Sequence, residues 1–536
     1  MAYEGYDMEA IIHSVVTKVG ASVGLTCLLL LYKLFSERRR FAGLPGPPHH
    51  WLYGHLPAFK EVKAKLPADA HNNLVHAILA RQYELGPIYY LDLWPSFDPQ
   101  VIVLDPTLAA QATQLKDLPK HSMYKFMEYT VGTQSIITTH GEQHRFWRKV
   151  FDAGFSSSHL ASLTPMVVQR VNVFIEKLES QVKTGEVFPL LPLTKSLTLD
   201  VIGRVTMAAD FNTQQQSNEI VDAFLTMPKY IPPFGLDPLR LLSPSRIWNA
   251  RHYQIKLNKL IGQVVDQRFR ERREGMVGPN EKSLVHLALD TYEKMQDNKE
   301  ECAVIDPDFK KNAVDNIRAF FFAGHATTAA SLCYLYYVLD RHPEILGRLR
   351  KEHEEFFGPD PGDANVRIHK DPTILKRMTY TTAVIKESLR LFVGAGTVRN
   401  GIKGFDLIDT KTNKHYPTYV RGPFPIMVRA FPIHRNPANF PDPDVFDPER
   451  FLGAKAAKMT KDAYRPFEKG SRDCPGQELS MMEMRITLAL TIRRFNIKAV
   501  YSEDAPEVMG DTAYNVMFSS AGPAQSLPVR VSLRES

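Results

Sequence analysis

The spacing of apolar residues predicts helices through most of the chain and strands only in short stretches. Apolar residues recur three and four positions apart in four segments, which are 166–184, 246–274, 374–392 and 478–494. Two shorter runs, Ile88–Leu93 and Val101–Leu104, flank a turn that contains Pro and Asp and are typical of strands. A proline-rich interruption at 231–235 separates two helical regions. We therefore expect a mainly α fold with small β-sheets.

The longest predicted helix has clear signals at both ends. Asp306 is a suitable N-cap residue, and Pro307 follows it in the first turn, where proline is tolerated. The apolar pattern continues to Arg341, and His342-Pro343 then ends it. A helix over this range would be about 50 Å long.

The most apolar stretch of the chain lies near its N-terminus. Val19–Tyr32 is shorter than the roughly 20 residues that span a bilayer, but extension back to Ile11 gives enough length and includes His13 and Lys18. Acidic residues precede this stretch and basic residues follow it: Glu4, Asp7 and Glu9 before, Lys33, Arg38, Arg39 and Arg40 after. The positive-inside rule then predicts a single-pass transmembrane helix with the rest of the chain in the cytosol. The alternative is a buried N-terminal helix of the main domain.

A proline-rich segment separates this predicted anchor from the remaining chain. Leu44-Pro-Gly-Pro-Pro48 cannot continue a helix, because its three prolines lack amide hydrogens. We expect three parts: a membrane anchor with its basic flank at 1–40, a stiff elbow at 41–50, and a single domain at 51–536.

Composition excludes several classes of protein. Lys and Arg (66) barely exceed Asp and Glu (59), without a basic stripe, so we expect no nucleic-acid partner. The net charge of +7 suits a membrane surface or an acidic protein partner. The cysteines Cys27, Cys302, Cys333 and Cys474 are far apart, which argues against a disulfide framework or a structural zinc site.

Cys474 stands in the segment with the most distinctive chemistry, Phe467-Glu-Lys-Gly-Ser-Arg-Asp-Cys-Pro-Gly476. Gly470 and Gly476 allow a bulky planar group to approach the backbone closely. A helix begins directly afterwards, so its N-terminal amides, together with the cation of Arg472, are expected to favour a thiolate. Local chemistry alone would still favour a buried structural cysteine.

This segment resembles the haem-binding loop of the cytochrome P-450 family, F-x-x-G-x-R-x-C-x-G. Phe467, Gly470, Arg472, Cys474 and Gly476 match all five defined positions. The resemblance implies the P-450 fold, with Cys474 as the axial thiolate ligand of the haem iron, where its electron donation favours O–O cleavage. It also implies that Phe467 shields the ligand and that Arg472 pairs with a haem propionate.

Two further motifs resemble the family in the expected order. Lys386-Glu-Ser-Leu-Arg390 contains E-x-x-R, and Pro448-Glu-Arg-Phe451 lies between it and the cysteine loop. Taken alone, E-x-x-R indicates only a surface ion pair. By the resemblance, Glu387, Arg390 and Arg450 form a buried three-way ion pair with a structural role.

The resemblance also supplies candidate partners for the haem propionates. Gly141-Glu-Gln-His-Arg-Phe-Trp-Arg148 resembles the family's C-helix, with His144 at the usual Trp position and Arg148 at the Arg position. Both can donate hydrogen bonds to a carboxylate. Trp147 is an alternative to His144, and a solvated basic face is the alternative to the whole assignment. Arg399 resembles the family's propionate-binding arginine beyond the E-x-x-R helix.

The middle of the longest helix resembles the family's oxygen-activation groove, A-G-x-(D/E)-T. Ala323, Gly324 and Thr327 match it, whereas Ala326 stands where the family has a carboxylate. A glycine inside a helix costs about 1 kcal/mol relative to alanine, so either close packing or a flat cofactor should require it. By the resemblance, Thr327 acts at the oxygen beside the iron without the usual acidic partner. The orientation of His325 stays open.

The resemblance covers nearly the whole chain and implies a monooxygenase, which inserts one oxygen atom from O₂ into an organic substrate. The implied cofactor is haem b (iron protoporphyrin IX), with NADPH electrons delivered by NADPH-cytochrome P-450 reductase. That reductase is expected on a basic face containing Arg145, Arg148, Lys149 and Lys469. The anchor and motif variants resemble the fungal microsomal branch, often used in secondary metabolism, which places the enzyme in the endoplasmic reticulum membrane.

The sequence also bears on the substrate and on alternative functions. Phe320–Phe322, the segment 232–245 and Val516–Phe518 suggest a small apolar substrate, although each is equally typical of ordinary core. One alternative function is a P-450-fold isomerase or lyase that rearranges peroxides without a reductase, which the missing acid at Ala326 keeps open. The other is a non-catalytic haem-binding carrier.

Overall fold

The computed structural model describes residues 8–231, 243–278, 281–296, 304–517 and 521–534. Most of the proline-rich interruption, residues 232–242 of the expected substrate entrance, and Phe518 lie outside the described residues.

Helices make up most of the described chain, which confirms the predicted mainly α fold. In chain order they are α1 (Met8–Arg40), α2 (Leu56–Ala64), α3 (Asn72–Gln82), α4 (Pro106–Ala110), α5 (Glu128–Val131), α6 (Gly141–Asp152), α7 (Ser157–Thr184), α8 (Leu190–Met207), α9 (Glu219–Thr226), α10 (Pro244–Arg273), α11 (Leu284–Lys294), α12 (Pro307–Arg341), α13 (Pro343–Phe357), α14 (Asp363–Lys370), α15 (Ile374–Arg377), α16 (Thr379–Leu391), α17 (Ala430–His434), α18 (Gly453–Ala457) and α19 (Gln477–Thr491).

The strands are short and form four small sheets within the described ranges. They are β1 (Ile88–Leu91), β2 (Gln100–Val103), β3 (Phe188–Pro189), β4 (Thr397–Asn400), β5 (Asp406–Asp409), β6 (Lys414–Pro417), β7 (Pro425–Val428), β8 (Phe495–Ala499), β9 (Asn515–Met517), β10 (Ala521–Pro523) and β11 (Pro528–Leu533). The largest sheet has the order β1-β2-β7-β4, in which only β2 and β7 are parallel. The others are β3-β11-β8, β5-β6 and β9-β10. The two predicted strands correspond to β1 and β2, paired with Ile88 opposite Val103.

The central helix α12 begins and ends where the sequence predicts. Asp306 caps it by accepting a hydrogen bond from the Phe309 amide, Pro307 lies in the first turn, and the last helical residue is Arg341. Most of its residues are buried, and its main neighbour is α8. The helix therefore runs through the centre of the domain.

Two other predicted helices differ in their bounds. α7 begins at Ser157, earlier than predicted, and ends as predicted at Thr184, followed by Gly185, whose φ of +65° is left-handed and suits glycine. The segment predicted as one helix at 374–392 is divided into α15 and α16 at Met378, whose ψ of 80° is not helical. The apolar pattern continues across this break, so periodicity alone does not reveal it.

Helix α1 is long and apolar enough to cross a membrane from Val16 to Arg40, and its apolar window is not buried. Its last turn differs, because Arg38 is only 7% exposed. The Arg38 guanidinium pairs with Asp92 and donates to the carbonyls of Leu52 and Trp94. The end of the helix is thus attached to the domain before the proline-rich segment begins.

Arg40 makes a second attachment on a different part of the domain. It is 8% exposed and donates to the carbonyls of Val420, Gly422 and Pro423. Its guanidinium also lies 4.6 Å from the ring centroid of Phe424. The boundary expected at residue 40 therefore falls within a set of contacts that joins the helix to the domain.

Candidate active site

The loop before α19 folds tightly around Cys474, whose amide donates to the Phe467 carbonyl (2.9 Å). Gly470 has a φ of +95°, and a Cβ there would lie 2.1 Å from the Thr113 carbonyl oxygen. Only glycine fits this position. At Gly476, a Cβ would make an ordinary contact, 3.8 Å from Cys474 Sγ. Steric crowding therefore requires glycine at position 470 and does not require it at position 476.

The thiol of Cys474 is accessible but enclosed. Its side chain is exposed, yet the surrounding protein is dense enough that burial raises the pKa of the thiol. The Gly476 amide and the Arg148 cation act in the opposite direction and are outweighed. A side chain that is both accessible and enclosed faces an internal cavity.

Arg472 does not provide the cation that the sequence predicts beside the thiol. Its guanidinium donates instead to the carbonyls of Ile136 (3.3 Å) and Thr139 (3.0 Å). The Gly476 amide favours the thiolate of Cys474 as expected, but the cation that does so is Arg148 instead of Arg472, and burial acts against both.

Ala323 and Thr327 lie four residues apart on one face of α12 and border an enclosed space. Ala323 is exposed and Thr327 is partly exposed, whereas their neighbours His325, Ala326 and Thr328 are buried. Thr327 Oγ1 donates back to the Ala323 carbonyl at 2.7 Å. The Thr327 oxygen therefore keeps lone pairs that can accept a hydrogen bond from a group in the cavity.

The next residue connects this face to the cysteine loop. Thr328 Oγ1 donates to Ser480 Oγ at 3.0 Å, and Ser480 lies in the first turn of α19, shortly after Cys474. The middle of α12 therefore packs against the start of α19, close to the cysteine loop.

Gly324 serves helix packing. A Cβ there would lie 2.6 Å from Ile202 Cδ1 on α8. Close packing of α12 against α8 therefore requires this glycine, and of the two reasons considered from the sequence, packing is the one that the contacts support.

His325 points away from the accessible face of α12. Its Nδ1 donates to the Phe321 carbonyl (3.0 Å), and its ring packs edge-on against Phe224. Burial lowers the pKa of His325 to about 4. His325 is therefore neutral and poorly placed to replace the acid that is missing at Ala326, itself only 3% exposed.

The phenylalanines before this stretch are mostly core residues. Phe320 stacks on Phe155, and Phe321 packs against Phe224 and Phe211. Both are at most 5% exposed. Of Phe320–Phe322, only the last is partly exposed, so the first two give no support for an apolar substrate.

Arg399 and Arg472 are neighbouring cations that form no ion pair with a carboxylate of the described residues. Arg399 is fully buried, with one donor on the Leu118 carbonyl (3.4 Å), while its Nε and Nη2 bond to none of the described residues. Arg472 Nε also lacks a partner in the described part of the chain. Leaving such a donor unsatisfied costs about 1–3 kcal/mol. A single nitrogen without a partner also occurs in ion-paired arginines such as Arg435 and Arg465, so it is Arg399, with two such nitrogens, that indicates an anionic ligand.

His144 and Lys120 complete this cluster. Burial, followed by Arg472 and Lys120, lowers the pKa of His144 to about 3. Burial, followed by Arg472 and Arg399, lowers the pKa of Lys120 to about 7, and its Nζ donates to the Ile137 carbonyl (2.8 Å). Sequence reasoning missed Lys120, because an isolated lysine outside a motif carries no distinguishing pattern.

The other residues of the predicted C-helix motif face elsewhere. Trp147 is 3% exposed and stacks on Phe151 with ring centroids 5.4 Å apart, so the structure brings His144 rather than Trp147 to the cluster. Arg148 donates to Asp152 (2.7 Å) and to Asp473 (2.6 and 2.9 Å). The acceptors are the Asp152 carboxylate for Nε, the Asp473 carboxylate for Nη2 and the Asp473 backbone carbonyl for Nη1, so each nitrogen of Arg148 already has a partner. The contact between Arg148 and a propionate stays a prediction.

Glu387 lies at the centre of a buried ion-pair group. Arg390 donates to both of its oxygens (2.7 and 2.8 Å), and Arg450 donates to one of them (3.3 Å). Glu387 and Arg390 are completely buried. The remaining donors of Arg390 bond to loop carbonyls, those of His434, Pro443 and Val445. The structure thus brings the three predicted residues together in a position that holds α16 to the segment before the cysteine loop.

The residues around the cavity fit an iron protoporphyrin. Cys474 offers an accessible thiol as metal ligand, and Ala323 and Thr327 present small side chains at the cavity wall. Arg399 and Arg472 have free N–H groups of the kind that bind carboxylates.

Comparisons with known proteins agree with this geometry. The family model for cytochrome P-450 matches residues 44–521. Cytochrome P-450 monooxygenase polC of Polytolypa hystricis is 34% identical over 532 residues, covering 95% of this chain and 93% of that protein. Cytochrome P-450 monooxygenase acrF of Aspergillus aculeatus is 32% identical, covering 88% and 100%. The crystal structure of the cytochrome P-450DA haem domain shares the fold, with a TM-score of 0.71 at 20% identity over 92% of this chain and 97% of that one.

The central helix, the cysteine loop and the unpaired cations together define a haem-thiolate oxygenase. The chain belongs to the cytochrome P-450 family, and it is a monooxygenase that uses haem and electrons from a redox partner. The peroxide-rearranging and carrier alternatives are not favoured, since the relatives are monooxygenases.

Proposed function

We propose that this monooxygenase oxidises a small, largely apolar substrate in fungal secondary metabolism, with haem b as its cofactor and NADPH-cytochrome P-450 reductase as its electron donor. The fungal origin of polC and acrF supports the setting. The observation that carries the proposed chemistry is the accessible, enclosed Cys474 thiol beside the accessible face of α12. When bound, haem would supply the iron at which O₂ is reduced and split.

Each residue around the cavity has a proposed role. Cys474 is the metal ligand, Phe467 and Gly470 shape its loop, and Arg399 and Arg472 bind the propionates. His144 and Lys120 would add donors beside them. In this arrangement the guanidinium groups gain the anionic partners that they otherwise lack.

Proton delivery requires a group from outside α12. Thr327 can hold a hydrogen-bonded group in the cavity, but Ala326 cannot carry a proton and His325 points into the core. We propose that water, or a hydroxyl on the substrate itself, completes the path next to Thr327.

The membrane arrangement is also a proposal. The length and hydropathy of α1, with Arg38–Arg40 at its end, support a single pass in the endoplasmic reticulum with the domain in the cytosol. Protease added to sealed microsomes should digest the domain, and protection of the domain would contradict this orientation.

The spectrum of the reduced, CO-bound protein tests the ligand. We expect the strongly red-shifted Soret band of thiolate ligation in the wild type and its loss in Cys474→His. With reductase and NADPH present, O₂ consumption should depend on Cys474. An imidazole-type spectrum in the wild type would contradict the assignment.

A further inference from the structure

Arg429 is another cation without a partner, separate from the cluster around Arg399. It directly follows β7, makes no hydrogen bond or ion pair with any described residue, and has a buried Nε. Its side chain is partly exposed, while burial lowers its pKa. As with Cys474, this combination of access and enclosure indicates that Arg429 faces internal space.

The neighbours of Arg429 connect it to the active-site cavity. Thr397 on β4 pairs with Val428, so Gly396 lies beside Arg429, and a Cβ at Gly396 would lie 3.2 Å from Arg429 Cδ. Ala395 and Gly396 are exposed and Gly394 is partly exposed, although Val393 and Thr397 on either side are buried. Gly396 precedes Arg399 by three residues, which is roughly 10 Å of extended chain. Arg429 therefore lies within reach of a ligand that occupies the cavity.

The titratable groups that face Arg429 leave its charge unbalanced. His71 and His76, at the start of α3, are close enough for Arg429 to lower their pKa values further after burial has lowered them, that of His71 to about 3. Both imidazoles are therefore neutral at pH 7. The one group that favours the Arg429 cation is the ionised form of Tyr124, and no carboxylate among the described residues does so. A tyrosine phenol is ordinarily neutral at pH 7.

Further unsatisfied polar atoms lie around this position. His76 Nδ1, Asn73 Oδ1 and Asn515 Nδ2 are buried without partners in the described part of the chain. The Asn515 carbonyl accepts a hydrogen bond from the His71 amide (2.9 Å), so β9 and the start of α3 adjoin. The surroundings are a cluster of buried apolar residues that includes Val393 and Val516. Arg429 and these polar atoms thus lie in an apolar part of the protein, next to the exposed Ala395 and Gly396.

We infer that Arg429 binds the carboxylate of a monoanionic substrate whose apolar part extends toward the cysteine loop. An arginine presents two parallel N–H groups that match a carboxylate, and a buried cation is costly when it lacks a counter-charge. Because His71 and His76 are neutral, they add no charge to that of Arg429, and a single guanidinium matches a carboxylate. This inference rests on the proposed function and refines its apolar substrate to an apolar acid.

The test measures spectral shifts of the holoenzyme with matched acid and ester pairs. We would titrate dodecanoic acid against its methyl ester, and the bulkier abietic acid against its methyl ester, into wild type, Arg429→Met and the exposed-site control Arg530→Met. In at least one pair, the wild type and the control should bind the acid at least tenfold more tightly than the ester. Arg429→Met should lose that preference while it retains ester binding.

Two further measurements separate this role from a structural one. The reduced, CO-bound spectrum of Arg429→Met should be unchanged, and its thermal midpoint should equal or exceed that of the wild type, because no native partner is lost. A lower midpoint, a lower haem content, or absence of acid preference in both pairs would overturn the inference. A normal thiolate spectrum in those cases would leave the monooxygenase assignment standing.

Discussion

Arg390 and Arg399 are both completely buried and lie nine positions apart in the chain, yet their surroundings differ in kind. Every donor group of Arg390 reaches an acceptor, either a Glu387 oxygen or a loop carbonyl. Arg399 has one long hydrogen bond and two nitrogens without a partner among the described residues. A buried arginine whose donors are all satisfied stabilises the fold, whereas one with free donors indicates a missing ligand. This difference separates the structural ion-pair group from the cofactor site without reference to any motif.

The largest effect on stability is expected from disrupting the ion-pair group of Glu387, Arg390 and Arg450. Glu387→Gln removes the carboxylate and leaves Arg390 as a fully buried charge without its counter-ion, which should destabilise the protein by about 3–5 kcal/mol. Urea unfolding and the yield of folded holoprotein measure this effect. The control is Glu449→Gln, because Glu449 pairs with Arg348 on the surface and such a pair contributes about 0–1 kcal/mol. Equal losses in the two variants would contradict the structural role of Glu387.

The unsatisfied arginine should behave in the opposite way. Arg399→Met removes a charge without partners, so the stability of the haem-free protein should stay equal or rise. Haem binding should weaken by about 1.5–3 kcal/mol, the contribution of a hydrogen bond to a charged group, or roughly tenfold to a hundredfold. Transfer of haem to an excess of a high-affinity acceptor protein measures the loss. If haem affinity is unchanged and stability falls, Arg399 belongs with Arg390 as a structural residue.

Lys120 belongs to the same cluster as Arg399, and its protonation should make the stability of the haem-free protein depend on pH. Its folded-state pKa is about 7, below the ordinary 10.5, so the unfolded chain binds more protons between these values. The cost of burying the Lys120 cation is therefore fully present and independent of pH below about 7, and it is relieved as the pH rises from about 7 towards 10.5. The stability of the haem-free protein should rise over that range, with a slope of at most about 1.4 kcal/mol per pH unit. Urea unfolding of wild type and Lys120→Met from pH 6 to 9 isolates this slope. An identical slope in both proteins would show that Lys120 is not the titrating group.

The smallest effect is expected at two adjacent threonines. Thr327 is accessible, whereas Thr328 is buried on Ser480. Thr327→Ala should lower the product formed per NADPH oxidised by a few-fold, because proton delivery is disturbed, with little change in stability. Thr328→Ala should lower stability with little change in the product formed per NADPH oxidised.

A third variant tests the proposed proton path. Ala326→Asp should improve coupling only for substrates that lack a suitable hydroxyl. Unchanged coupling in Thr327→Ala would remove this stretch from the proton path.

Local signals in the sequence predict some of these features well and others not at all. The ends of α12 follow from Asp306, Pro307 and the His342-Pro343 pair, all of which act through the nearest backbone. Arg472 contacts Ile136, and Arg148 contacts Asp473; in each pair the two residues are far apart in the sequence. The position of an arginine within a motif therefore does not determine its partner. Lys120 has no motif at all. Sequence therefore predicts which segments meet at the site, while the choice of partner for each cation emerges only from the packing.

The attachment of α1 has a mechanical consequence. Arg38 and Arg40 lie on one helical turn and bind two separate segments of the domain. These contacts resist bending of α1 relative to the domain and rotation of α1 about its own axis. A helix of 33 residues is about 50 Å long. Because its end is fixed in this way, the helix is a rigid connection to the domain and not a flexible one. We therefore expect that a bilayer of different thickness, by changing the tilt of α1, rotates the whole catalytic domain and changes which part of its surface faces the lipid.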